Sequence, residues 1–341
     1  MRCVYSLFFA LFLSRASFAS AQSSLNPLNW FAEDDQEPMS LRVATASDES
    51  RASERLEVGR EKMTAGNFWT ASRIFKKIIK QYPLAKATAE ARFLQANILM
   101  THGRWEQAFD TLQLLVVKHP NYENFNLVIG AQFDCATAHM EGARSKLFWV
   151  FPGFHQYAQA IREFSAIVGN APYSDYAPLA LMNIALIAQQ EEMAAEAIDA
   201  LDRLINYYPQ SMLAPDAYYN LATTYSDLVA GGEYDQGSTR QAISYYEDFL
   251  VLFPQSSYTG EVESNLQSME NLLASSRVNI GDFYYFYRSN NTAALIFYNE
   301  AITIAPDSEA AQEAVQRIDD IEAGVRPVNG ASLMRKLLFV D

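Results

Sequence analysis

Six stretches of this chain repeat one arrangement of apolar positions: an alanine, a bulky apolar or aromatic residue four places on, and a proline eight places after that. The sets are Ala71/Phe75/Pro83, Ala108/Leu112/Pro120, Ala160/Phe164/Pro172, Ala197/Leu201/Pro209, Ala242/Tyr246/Pro254 and Ala294/Tyr298/Pro306. All three members of each set are expected to be repeat-packing residues. Positions four apart share a helix face, so each pair marks the buried side of a helix, with a small residue where a neighbour approaches. The proline stops that helix, because it has no N–H and its ring clashes with the preceding turn. Long alternating runs of the strand type are absent, and most of the twelve prolines fall between helical stretches. The pattern predicts an all-α chain.

A looser face precedes each set. The clearest is Tyr218, Leu221, Ala222 and Tyr225. Gly59 lies twelve residues before Ala71, where a close helix contact needs a small residue; Ala96 and Ala185 hold the same place before Ala108 and Ala197, and Ile280, Gly281 and Tyr284 serve the last unit. Gly66 and Gly103 each fall five residues before the alanine, at a turn where glycine tolerates a positive φ. The combined spacing is that of a tetratricopeptide repeat (TPR), a helix–turn–helix of about 34 residues. The predicted architecture is a TPR superhelical solenoid of about six helix–turn–helix units plus a C-terminal capping helix.

The irregularities divide the chain. Residues 1–21 read as a signal peptide, 22–52 as an acidic disordered linker, 53–120 as two regular units, 121–323 as a longer array and 324–341 as a tail. The prolines lie 37, 52, 37, 45 and 52 residues apart. The first surplus falls in 140–153, across the end of a long helix expected over 123–149 and its aromatic turn, and the second in 229–238. The third lengthens a helix expected from about Gly260 to Arg288, about 45 Å long at 1.5 Å per residue. A last helix is expected from Ser308 to Ala323. Trp30 and Phe31 stand out in the linker as an aromatic pair, either docked or merely carried along.

Charge and cysteine content narrow the setting. Arg2, the apolar run Val4–Leu13 and the small residues Ala19 and Ala21 predict export with cleavage between Ala21 and Gln22. No stretch has the roughly 20 apolar residues of a membrane-spanning helix. The net charge of −14 argues against nucleic acid and against anionic lipid surfaces. Of the two cysteines, Cys3 leaves with the signal, so Cys135 has no partner for a disulfide, and the stretch from Ser14 to Gln22 offers no cysteine for a lipid anchor.

No sequence motif for catalysis or cofactor binding appears: no phosphate loop, no His-Glu-x-x-His, no nucleophile beside a base. The chain is expected to be non-enzymatic, with no cofactor, no catalytic residues and no metal. Cys135 and His139 share a helix face at a spacing that can hold a metal, but two ligands without a second pair favour a core reading. Protein binding is the function left. TPR register turns Phe93, Asn97, Asp216, Tyr219 and Thr223 toward the groove. In the run Phe283-Tyr284-Tyr285-Phe286-Tyr287 helical geometry cannot bury every ring, so Phe283, Tyr285, Phe286 and Tyr287 are candidates for a partner surface, with packing between repeats the alternative.

Several stretches from about Phe125 to Gly324 resemble one family. Ala171-Pro172-Tyr173-Ser174-Asp175-Tyr176 and Phe253-Pro254-Gln255-Ser256-Ser257-Tyr258 are similar to its Tyr-Pro-x-Ser-x-Tyr turn. Tyr234-Asp235-Gln236 before Arg240-Gln241-Ala242 resembles the entry to its third repeat, and Ile280-Gly281-Asp282-Phe283-Tyr284-Tyr285 before Asn291-Thr292-Ala293-Ala294 resembles its fourth. The family is that of BamD, the TPR component of the outer-membrane β-barrel assembly machinery. The resemblance implies a periplasmic scaffold at the inner face of the bacterial outer membrane. Its C-terminal repeats would bind the barrel-inserting subunit, and the units ending at Pro172 and Pro209 would receive unfolded outer-membrane proteins. The family's lipid-bearing cysteine is missing here, and the two units at 53–120 have no counterpart in its shorter members. A TPR adaptor for pilus or secretin assembly, or for cell-wall synthesis, is the alternative.

Overall fold

The computed structural model describes residues 44–142, 156–229 and 236–325. Among them, thirteen α-helices form six consecutive hairpins and a cap: α1 (Ala46–Thr64) with α2 (Phe68–Gln81), α3 (Lys86–Thr101) with α4 (Trp105–Lys118), α5 (Phe125–Met140) with α6 (Tyr157–Asn170), α7 (Tyr176–Gln190) with α8 (Ala194–Tyr207), α9 (Ala214–Asp227) with α10 (Gln236–Leu252), and α11 (Thr259–Asp282) with α12 (Asn291–Ile304), followed by α13 (Glu309–Glu322). Each helix packs on its neighbours in sequence. The fold is an all-α TPR solenoid, as the spacing predicts.

Two members of the repeated triplet account for the packing of the second helix in every hairpin. All six alanines are fully buried, as are Phe75, Leu112, Phe164, Leu201, Tyr246 and Tyr298. In five hairpins the alanine N–H closes the first helical turn, as Ala71 does onto the Asn67 carbonyl at 3.0 Å and Ala108 onto Arg104 at 3.0 Å.

The third member does not pack. Pro83, Pro120, Pro172, Pro209, Pro254 and Pro306, expected among the repeat-packing residues, are all exposed, each two residues beyond the end of its helix. Their place in the repeat is set by the backbone, not by burial. Proline disfavours helical geometry in its predecessor and has no N–H to continue the helix, and a ring in solvent does this as well as a buried one. Thus Tyr82, His119, Ala171, Tyr208 and Ala305 take φ between −129° and −142° while still donating to the carbonyl four residues back.

Two glycines show how close the helices come. A methyl group built on Gly59 would lie 2.4 Å from the Phe75 ring, and one on Gly281 would lie 2.5 Å from the Tyr298 ring. The bulky residue of the second helix is therefore seated directly on the backbone of the first. Gly66 and Gly103 occupy the inter-helix turns at φ +75° and +68°, as expected of their positions.

Three boundaries differ from the sequence reading. The acidic linker expected to reach residue 52 stops earlier, because α1 begins at Ala46: Thr45 and Asp48 form a reciprocal capping box, and Ala52 and Leu56 are already core. The helix expected over 123–149 ends at Met140, where Gly142 at φ +74° donates to the His139 carbonyl at 3.2 Å. The long helix of the last hairpin is α-helical only to Asp282 and then widens into a π-helical turn over Phe283–Tyr287. The signal segment with Ala21 and Gln22, Trp30 and Phe31, the surplus residues 143–155 and 230–235, and the tail from 326 onward lie outside the described residues.

One continuous core runs from Ala96 in α3 to Leu221 in α9. Smaller clusters serve the first hairpin, the α9–α11 region and the last hairpin with α13. The larger core crosses residue 120 without interruption, so hairpins on both sides of that point share their packing.

Close seating predicts opposite outcomes for two glycines of α11. Gly281→Ala is expected to destabilise the chain by about 1–3 kcal/mol, because the added methyl overpacks against Tyr298. Gly260→Ala meets no atom within 4 Å and should be neutral or stabilising by at most about 1 kcal/mol. Urea melts of both variants check this, and equal effects would refute the seating argument.

Candidate protein-binding surface

The five groove positions fall in two separate places. Phe93 and Asn97 lie on α3, which packs against α2, α4 and α5, whereas Asp216, Tyr219 and Thr223 lie on α9, which packs against α8 and α10. Phe93 is half-buried against the Tyr122 ring at 6.4 Å, and the Asn97 carbonyl accepts from the Thr101 hydroxyl. On this side Tyr122 donates to Glu90 at 2.6 Å, and Glu90 also pairs with Arg60 at 3.1 Å, linking α1, α3 and the turn before α5.

The α9 group is more organised. The Tyr219 ring stacks on Tyr258 with centroids 4.8 Å apart and planes 11° from parallel. Its hydroxyl donates to Glu261 Oε1 at 2.7 Å. Thr223 donates back to the Tyr219 carbonyl at 2.9 Å. Hydrogen bonding to Glu261, with burial behind it, pushes the Tyr219 phenol up to about 12. A hydrogen bond to Asp216 raises Tyr258 likewise. Tyr258 and Glu261 were not among the predicted positions, although Tyr258 ends a Pro-x-x-x-Tyr turn that stands in the sequence. These residues form a partly open aromatic and acidic ledge whose own pairings already fix its shape.

The aromatic run divides sharply. Tyr285, expected at a partner surface, is only 2 % exposed and donates to the Val325 carbonyl at 2.8 Å, so it belongs to the core. It stands four residues after Gly281, on the face that seats Tyr298, so helical spacing turns its ring inward; the Asn290 N–H donates to the Tyr284 carbonyl at 3.0 Å just beyond the π turn. Phe286 is half-buried with the Arg317 guanidinium 5.2 Å from its ring centre. Tyr284 stacks on Phe297 at 5.5 Å. Phe283 and Tyr287 remain outside, 47 % and 70 % exposed, with rings 6.1 Å apart and Arg288 lying 5.7 Å over Phe283. These two rings are what the run leaves exposed.

Cys135 and His139 are both buried in α5. Burial pushes the Cys135 thiol up, away from the reactive thiolate. His139 Nδ1 meets Glu163 Oε2 of α6 at 2.7 Å, a partner that spacing within α5 could not reveal. Gln159 donates to the other Glu163 oxygen at 2.8 Å. Among the described residues, no three His, Cys, Asp or Glu side chains gather as a metal site would require.

Hairpins stacked on one another with partly open aromatic ledges define a tetratricopeptide-repeat protein of the kind that works through protein contacts. A tetratricopeptide-repeat family model matches residues 56–123, and the family model described as outer membrane lipoprotein, YfiO, matches residues 154–324. The chain belongs to the YfiO family. Among curated relatives, the outer membrane protein assembly factor BamD of Rickettsia prowazekii is 28 % identical over 167 residues, which is 48 % of this chain and 64 % of that protein. The BamD of Caulobacter vibrioides is 25 % identical over 126 residues, covering 37 % and 41 % respectively. The chain thus spans less than two thirds of the relatives it matches. Among solved structures, a tetratricopeptide repeat protein from Parabacteroides merdae aligns over 78 % of this chain and 98 % of its own at 11 % identity, with a TM-score of 0.34. Among the described residues no helix is long and apolar enough to cross a membrane.

The buried polar contacts can be tested in two ways. Removing one partner of the His139–Glu163 pair, as in Glu163→Leu or His139→Leu, should cost about 3–5 kcal/mol, and the double variant should cost clearly less than the sum of the two. Additive losses in denaturant melts would show that the pair is not coupled. For the phenols, Tyr122 is pushed to about 12 by burial and then by Glu90, and Tyr219 reaches about 12 through Glu261. Both hold their protons more tightly folded than unfolded, so their contribution is complete below about pH 10 and is lost as pH rises through about 12. Stability should fall across that window and less steeply in a Tyr122→Phe/Tyr219→Phe variant; parallel slopes would count against the assignment.

Proposed function

We propose that this chain is a non-enzymatic scaffold in outer-membrane β-barrel protein assembly, acting from the periplasm at the inner face of the outer membrane. The observation that carries the reading is the family match over 154–324, the same stretch in which the lengthened α11 and the aromatic turn depart from plain repeat spacing. The names of the BamD relatives support the same assignment. In this reading the C-terminal hairpins hold the barrel-inserting subunit, and Phe283 and Tyr287 are its exposed anchors. Aromatic rings suit that role because they bring large apolar area with little side-chain entropy to lose. The hairpins ending at Pro172 and Pro209, with Asp216, Tyr219 and Thr223 beyond them, receive unfolded outer-membrane chains. The two hairpins over 53–120 extend the stack beyond the family-matched part and add binding surface of their own.

The rival reading, an adaptor for pilus, secretin or cell-wall assembly, uses the same fold. Affinity purification of the tagged full chain from its native envelope separates the two. Recovery of the barrel-inserting subunit is expected, with at least about a tenfold loss in Phe283→Ala/Tyr287→Ala, since truncating two anchors typically costs more than about 1.4 kcal/mol. Both positions are exposed, so thermal melts of that variant should match those of the parent. Recovery of a secretin, pilus component or cell-wall synthase without the barrel-inserting subunit would overturn the proposal.

A further inference from the structure

An open cleft of about 720 Å³ lies where α10, α11 and α12 meet. Among the described residues its walls include Leu273 from α11 and Leu295 and Ile296 from α12, and its cations are Arg240 from α10 and Arg277 from α11. Arg277 is only 6 % exposed, a rare place for a guanidinium. Its sole ionic contact among the described residues is with Glu300, whose Oε2 stands 3.3 Å from Nε. That approach is too poorly directed to count as a hydrogen bond, and the buried Nε–H has no acceptor. A buried charged donor left this way is costly, and a guanidinium has five N–H groups arranged to grip a carboxylate from two sides. Glu300 is about half exposed, so it supplies only a loose counter-charge. Opposite it, Arg240 is exposed and carries a second guanidinium to the same space.

We propose that this cleft binds an acidic side chain of a partner protein, with a bulky apolar residue beside the acid. The carboxylate sits between Arg277 and Arg240, supplies the acceptor that Arg277 Nε lacks, and leaves Glu300 turned to solvent. The apolar neighbour covers Leu273, Leu295 and Ile296. Charge complementarity selects this occupant. The chain as a whole carries −14, so an acidic segment is repelled at long range and is held only where two cations converge on a partly dry wall. A basic segment would leave Arg277 unanswered, and a purely apolar one would bury its charge further. The site deepens the scaffold reading by giving the chemistry of a partner contact near the C-terminal end of the stack, and it rests on that reading only in taking the occupant to be a protein.

Selection of a displayed library of random twelve-residue peptides on the purified full chain tests the site without any envelope partner. Its outcome is therefore separable from that of the affinity purification. Peptides with Asp or Glu next to Leu, Ile or Phe are expected to be enriched. The best of them, made synthetically, should bind at least about tenfold more weakly to Arg240→Gln and to Arg277→Gln, and to the parent chain when its acid is replaced by the amide. Arg240 is exposed, so its variant keeps the fold even if Arg277→Gln does not, and thermal melts report on both. Absence of acidic enrichment, or equal binding to Arg240→Gln and the parent, would overturn the proposal.

Discussion

Each hairpin of this solenoid is held by a large side chain seated where its neighbour has little or none. In the first and last hairpins the seat is a glycine backbone, Gly59 beneath Phe75 and Gly281 beneath Tyr298. Elsewhere fully buried alanines such as Ala96 and Ala185 take that place. The approach brings dispersion contacts to near-crystalline density and leaves no room for an added methylene. Everything else depends on it: the alanine at the start of the second helix, the turn glycines that aim it, and the exposed proline that ends it before the next hairpin begins.

Polar groups buried between hairpins set which surfaces can meet. Gln113, Gln132 and Asn170 exchange amide hydrogen bonds of 2.7–3.2 Å across α4, α5 and α6. His139 and Glu163 do the same between α5 and α6. Asp282 accepts from both Tyr298 at 2.6 Å and Arg317 at 3.1 Å, so a single carboxylate ties α11, α12 and the capping α13 together. Half-satisfied, each of these groups would weaken the stack, so they disfavour any sliding of one helix past the next.

The arrangement of helices was legible because it depends on residues at short, fixed spacing. Ala71, Phe75 and Pro83 are read as a unit wherever they recur, and a proline that follows a helical stretch ends it through local backbone geometry. Spacing alone does not separate the two ways a residue can be constrained, so Pro120 and Pro306 read as packing residues although only their backbone geometry matters. The start of α1 was also written locally, in Thr45 and Asp48, but the acidic and serine-rich composition around it obscured the capping box. The pairings that shape the candidate surfaces were not legible. Tyr219 meets Glu261 across 42 residues and His139 meets Glu163 across 24, and nothing in either helix alone specifies the other. Tyr285 failed for a different reason: Ala274, Val278, Gly281 and Tyr285 share one buried face at helical spacing, and the run of five consecutive aromatic residues hid that alternation.

The aromatic turn at the end of α11 ties that helix to its neighbours and leaves two rings outside. Arg277 and Gly281 face α12, Tyr285 one turn on reaches Val325 beyond α13, and Phe283 and Tyr287, two residues to either side of Tyr285, stand on the opposite face in solvent. A single segment thereby satisfies two neighbours and still leaves a pair of rings exposed. The chain carries this exposed pair on the outer face of a packing helix, without a separate loop built to hold it.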